Sequence, residues 1–403
     1  MQYRITTPGP LLDENGRLIE KGYALSQIRS YDRARVKASP LRLKEWDYYC
    51  ICTDRFALAL TVADNGYMTM DSISLLDFDI GSQVTTSRMS LPCIAKRDLP
   101  FSSASGDIRI RRNGYEICFD NDGKTRHLHG YMDNFSGENG ISFDVTLTDA
   151  PDETMVIATP FPDKPAAFYY NQKINCMRAD GTVRFKNKEY RFDPAKDFGV
   201  LDWGRGVWTY DNTWYWGSAS GLAGGVPFGF NIGYGFGDTS AASENMLFYN
   251  GKAHKLSRVE FEIPVRGGQD DFMSPWKFSS DDGRFEMDFV PVMDRCAKID
   301  LKLICSDQHQ VFGRFSGTAV LDDGQKVEIK DLTGFAEKVR NKLVNCFFRG
   351  SGSQSAGESP QCAPPHGGTG VSSVRRDHPG IPCPGYRKTA GSQAGQSSAL
   401  LFS

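Results

Sequence analysis

The chain has 403 residues, 40% of them hydrophobic and 24% charged, with a formal net charge of −2. That length suffices for two domains with cores of their own, and the near-neutral charge excludes a global basic field for nucleic acid or anionic membrane. No run approaches the ~18–20 apolar residues of a membrane span, and Met1 to Pro10 lacks the apolar core of a secretory leader, so a cytoplasmic protein is expected.

In chain order, the sequence divides into an extended N-terminal segment (1–30), a first β domain (31–170), a second β domain (171–345) and a tail (346–403). Phe (26), Tyr (16) and Gly (41) favour sheets with tight turns over helical bundles. Only residues 31–37 and 333–344 carry a pattern compatible with helix. In the first domain, Trp46-Asp47-Tyr48-Tyr49-Cys50-Ile51 opens a series of hairpins. Cys50 and Cys52 alternate on one strand face. None of the ten cysteines forms a CxxC pair or sits at zinc-finger spacing with His, so buried, reduced thiols are expected.

Further on, Ile108-Arg109-Ile110-Arg111-Arg112, Asn113-Gly114 and Tyr115-Glu116-Ile117-Cys118-Phe119 read as a two-residue hairpin with one apolar face. His127 and His129 share a strand face, with Asp133 as the one nearby candidate for a third ligand. That is too little for a metal site, and no metal or other cofactor is expected. Asn-Gly and Asp-Gly recur along the chain beside alternating runs such as Ile141 to Leu147 and Phe285 to Phe289. The expected fold class is therefore all-β: two tandem antiparallel barrels or sandwiches.

Residues 199–239 hold four of the six tryptophans: Trp203, Trp208, Trp214 and Trp216. Phe228, Phe230, Ile232, Tyr234 and Phe236 alternate with Gly229, Asn231, Gly233, Gly235 and Gly237. A strand of this kind is bulky on one face and bare on the other. The bare face accommodates either a close neighbour or a ligand in a barrel lumen. Asp202-Trp203-Gly204-Arg205-Gly206 sets a carboxylate near a guanidinium. Two readings stand: a buried pair bracing a turn, or a site in which Asp202 is the acid and Arg205 anchors a polar head. Trp203, Trp208, Tyr210, Asp211, Trp214, Trp216, Phe230 and Tyr234 would line that site, and their alternative is ordinary core packing.

The tail breaks the pattern. Gly, Ser and Pro make up 26 of its 58 residues, and it is expected to be disordered.

Three blocks carry a resemblance. Thr7 to Gly16 (Thr-Pro-Gly-Pro-Leu-Leu-Asp-Glu-Asn-Gly), Asp202 to Gly206 with its tryptophans, and Gly334-Phe335-Ala336-Glu337-Lys338-Val339 resemble the bacterial domain-of-unknown-function family 2804, over about residues 5–343. That family implies no established activity. More distantly, the paired β architecture is similar to the carotenoid hydratase and AttH-like group, which implies two lipocalin-like domains in tandem. The resemblance implies a hydrophobic small-molecule partner, lipid or isoprenoid-like, either simply bound or transformed by acid–base chemistry. A carbohydrate-binding or carbohydrate-active protein, using Asp202 with Asp211, is the second class. A structural or interaction module is the third. The oligomeric state stays open.

Overall fold

The computed structural model describes residues 2–91, 97–301 and 304–343. The predicted disordered tail, 346–403, lies outside them. Among the described residues there is no α-helix; two short 3-10 turns, Arg33–Arg35 and Pro40–Arg42, are the only helical elements. Among the described residues no helix is long and apolar enough to cross a membrane.

Two large sheets carry the fold. The first runs, neighbour to neighbour, through Ser82–Ser90, Thr69–Asp77, Phe56–Asp64, Leu43–Cys52, Phe198–Val207, Phe168–Phe185, Asn139–Thr148, Arg126–Ser136, Tyr115–Asn121 and Ile108–Arg112. The second runs through Lys252–Lys255, Met246–Tyr249, Val226–Tyr234, Asp211–Ala223, Lys326–Leu343, Ile304–Val320, Phe285–Leu301, Trp276–Ser280 and Val259–Glu262. Every pairing along both paths is antiparallel, as the hairpin signals require. The Asn113-Gly114 turn joins Arg112 to Tyr115 in register, with Gly114 at φ +80°.

Each sheet curls into a half-barrel. In the first, the edge strand Ser82–Ser90 returns to Arg126–Ser136, where Thr86 Oγ1 donates to the Phe135 carbonyl. In the second, the Phe261 ring from the last strand meets Tyr234 and Tyr215 on the third and fourth strands from the opposite edge, at 5.5 and 5.8 Å. A second apolar core fills this half-barrel, with Phe228, Phe230, Trp276, Phe285 and Phe315 at its centre.

Two readings of the sequence differ from the structure. Residues 333–343 are strand, not helix. Lys326–Leu343 is hydrogen-bonded on both sides, to Asp211–Ala223 and Ile304–Val320, so cross-strand pairing overrides its weak helical pattern. The chain also passes from one sheet to the other between Val207 and Asp211. Residues 171–207, grouped with the second domain by sequence, therefore hydrogen-bond within the first sheet.

Candidate functional site

The Phe198–Val207 strand pairs on one side with Phe168–Phe185 and on the other with Leu43–Cys52. Residues directly opposite each other share a face, so three cross-strand rows form: Lys173, Asp202 and Tyr48; Asn171, Gly204 and Trp46; Tyr169, Gly206 and Lys44. This face looks toward the second sheet. The two glycines are needed here. A Cβ on Gly204 would stand 2.0 Å from the Trp46 ring, which lies across it, and one on Gly206 would stand 2.5 Å from the Phe168 carbonyl.

From the second sheet, Trp214 and Trp216 face this floor. Trp216 lies opposite Glu337 on one neighbour and Gly233 on the other. Gly233 leaves room for Glu244, whose Oε1 would be 2.8 Å from an added Cβ. Trp46, Tyr169, Lys173, Asp202, Trp208, Trp214, Trp216, Phe236 and Glu244 together enclose a slot between the sheets. Its cavity volume is about 30 Å³, room for one or two waters. The aromatic walls brace one another edge to face: Trp208 stands 5.3 Å from Trp46, 5.7 Å from Trp214 and 4.7 Å from Phe236.

The polar end is as ordered as the walls. Lys173 Nζ lies 2.8 Å from Asp202 Oδ2 and 3.7 Å from the centre of the Trp216 ring. Asn171 Nδ2 donates to Asp202 Oδ1 at 2.5 Å. Trp216 Nε1 donates to Asn231 Oδ1 at 2.7 Å, and Asn231 Nδ2 to the Glu244 carbonyl at 2.8 Å. Glu244 keeps some surface as a residue, but its Oε2 is sealed from solvent with no protein hydrogen-bond partner. Burial raises the Glu244 carboxyl above the usual range, against the pull of Lys173. Behind the slot, Glu337 accepts from Trp214 Nε1 and Gln310 Nε2, both at 3.0 Å. Burial pushes it up to about 7.

Of the residues singled out by sequence, Asp202, Trp208, Trp214 and Trp216 meet in this slot. Asp202 and Arg205 do not pair. An odd spacing in a strand sends them to opposite faces, and Asp202 takes Lys173 instead. Arg205 is fully buried in the first core. Its Nη1 donates to the Trp46 carbonyl at 2.6 Å and its Nη2 to Asp47 Oδ1 at 2.9 Å, while its guanidinium lies 4.3 Å from the Trp203 ring. Trp203 packs there too, against Tyr31 and Tyr170. Tyr210 lies under the Arg42 guanidinium at 5.4 Å, and Asp211 is exposed, 3.7 Å from Lys342. Phe230 belongs to the second core, and Tyr234 stacks on Tyr215. The bare face of Val226–Tyr234 has a close neighbour rather than a lumen: Cys176 Sγ would lie 2.7 Å from a Cβ on Gly229.

Trp46, Tyr169, Lys173, Phe236, Glu244 and Glu337 were missed. Lys173 left a trace, since a lysine that alternates with Asn171 and Asn175 directly after Phe168, Tyr169 and Tyr170 needs a buried partner once that strand is covered. Glu244 left none, because the loop that carries it has no period. His127 and His129 lie side by side, 4.5 Å between ring centres, but His127 pairs with Asp144 and His129 with Asp120 rather than with Asp133.

Fold and slot together define an all-β protein of two curled antiparallel half-barrels with an aromatic, carboxylate-bearing slot between them. The chain belongs to the family described as Domain of unknown function (DUF2804), whose model matches residues 2–343. No curated protein matches the sequence. Three solved structures are similar in fold. A candidate AttH from Nitrosomonas europaea is 12% identical, with a TM-score of 0.48 over 78% of this chain and 98% of its own. CghA with Sch210972 is 14% identical, with a TM-score of 0.49 over 83% and 97%. Kievitone hydratase from Nectria haematococca is 12% identical, with a TM-score of 0.40 over 74% and 88%.

Proposed function

We propose that the chain takes the apolar end of a small hydrophobic molecule, lipid or isoprenoid-like, into the slot between its sheets and transfers a proton there. The observation that carries this reading is Glu244. A carboxyl with a raised pKa and a sealed, unpartnered oxygen, set among tryptophans, is suited to give a proton to an apolar substrate. In this reading the acid is Glu244 rather than Asp202. Held by Lys173 and Asn171, Asp202 fixes the ammonium against Trp216 and keeps negative charge beside the acid. The indole faces around it favour positive charge developing on a protonated substrate. Because the slot has room for one or two waters, a bulkier apolar end displaces the rings that line it, Trp208 and Phe236 among them.

The test is native mass spectrometry of the purified chain, with organic extraction of any passenger, beside tryptophan quenching by isoprenoid, fatty-acyl and polyene probes. An apolar ligand whose binding is lost in Trp208→Ala and kept in Glu244→Gln supports the reading, and turnover of that ligand should vanish in Glu244→Gln. A chain that carries no apolar ligand and responds to none of the probes overturns it.

A further inference from the structure

The second half-barrel carries a cluster that the slot does not use. Phe285–Leu301 and Ile304–Val320 pair so that Cys296 stands opposite His309. Asp294 lies two residues before Cys296, and the period of a strand sets all three side chains on one face. Their donor atoms lie within 4.8 Å of one another. His309 Nδ1 is 2.7 Å from Asp294 Oδ2, and its Nε2 is 3.4 Å from Asp307 Oδ1. Phe272 stacks flat on the imidazole at 3.8 Å. Asp294 is 8% exposed, and its Oδ1 has no protein hydrogen-bond partner. A carboxylate oxygen enclosed in this way is costly unless a cation or a water completes it.

We propose that Asp294, Cys296 and His309 form a binding site for a divalent transition-metal ion of the zinc class. The donor set argues for that class. A thiolate, an imidazole and a carboxylate suit zinc and its neighbours, whereas calcium and magnesium take oxygen donors. Asp307 supplies the outer partner that metal-bound histidines usually have. It lies 3.4 Å from Nε2, while Nδ1–H, which donates to Asp294 Oδ2 in the free site, gives up its proton to solvent when the ion enters. Cys296 binds as the thiolate, so its proton passes to solvent when the ion enters. Three protein ligands leave a fourth position for water or a small anion.

The surroundings fit a cation better here than at the two mixed clusters around His129 on the first sheet. There, guanidinium groups already hold the carboxylates: Arg109 lies 2.9 Å from Asp120, and Arg111 lies 3.2 Å from Glu116. In the second half-barrel, Lys298 contacts Asp307, the outer partner, at 3.3 Å. Lys338, opposite His309 on the next strand, is neutralised by Asp270.

The test is titration of the chelator-treated full chain with Zn²⁺, and separately with Co²⁺. One ion should bind per chain, and the Co²⁺ form should show a thiolate-to-cobalt charge-transfer band with tetrahedral visible bands. Cys296→Ser should abolish the charge-transfer band. His309→Gln should lower Zn²⁺ affinity by at least the ~10–100-fold that loss of an outer partner alone causes, and Asp307→Asn should fall within that range. The double variant His127→Gln with His129→Gln should keep both signals. The proposal fails if no ion binds, if the band survives Cys296→Ser, or if binding disappears with the double variant. Near-ultraviolet circular dichroism verifies that each variant is folded. Cys296→Ser exchanges a single atom and carries the test should His309→Gln not fold.

Discussion

The interior of the second half-barrel and the layer between the two sheets are built from the same strands, yet their side chains have little in common. From Val226–Tyr234, Phe228, Phe230 and Ile232 turn into the half-barrel, while Gly229, Asn231 and Gly233 turn toward the first sheet. The interior is rings against rings, such as Phe230 at 5.0 Å from both Phe285 and Phe315. The layer between the sheets holds Lys173, Asp202, Glu244 and Glu337, with Asn175 Nδ2 bridging to Ser218 Oγ at 2.9 Å. Stability alone does not call for such a layer, since a buried ion pair can be replaced by well-packed apolar residues without loss. Its charges fix one another's positions, which is what a site requires.

The largest expected effect separates the two regions. Phe230→Ala removes a fully buried ring from the second core and should lower unfolding free energy by about 3–5 kcal/mol, read by denaturant titration. The ligand response of the folded fraction should not change. If it does, the two regions are coupled and the contrast fails. Lys173→Met attacks the other side. Asp202 is then left buried without its cation, at a cost of about 3–5 kcal/mol, and adding Asp202→Asn should restore a large part of it. Equal destabilisation in the single and double variants would mean that packing of the Lys173 stem against Trp216, rather than charge, holds the layer.

The alternation and the Asn-Gly turns were enough to read the sheets, because a period of two and a two-residue turn leave little else for the chain to do. They could not assign strands to sheets. The Asp202 to Gly206 block looks continuous with the tryptophans that follow, yet the chain changes sheet between Val207 and Asp211. The same block shows why some of the candidate residues lie away from the slot. Asp202, Gly204 and Gly206 face the slot, while Trp203 and Arg205 face the first core. Which face is which depends on Lys173 and Trp46, 29 and 156 positions earlier in the chain. Glu244 reaches the slot because Gly233 leaves space for its carboxyl.

Smaller effects test how closed the layer is. Glu337 titrates near 7 in the folded chain, against an ordinary value of 4.5. The folded state therefore holds this proton longer than the unfolded one. Its contribution to stability is whole below about pH 4.5 and is lost as pH rises through 7. Glu337→Gln should flatten that limb and gain roughly 1–3 kcal/mol over the parent chain near pH 8. Parallel pH profiles of the two chains would mean that water reaches Glu337 and that the layer is open behind Trp214.

The smallest effect is expected at Asp211, the carboxylate paired with Asp202 in the carbohydrate reading. It lies at the start of its strand, half exposed, and 3.7 Å from a half-exposed Lys342. Pairs of this kind contribute little, because solvent screens them and both side chains lose freedom in forming them. Asp211→Asn should shift stability by less than about 0.5 kcal/mol and leave tryptophan quenching by apolar probes as it was. A loss of that response, or quenching by soluble oligosaccharides that depends on Asp211, would move the site from the slot to the rim. The Asp202–Lys173 pair would then be a buried brace, and the tryptophans around it would be core.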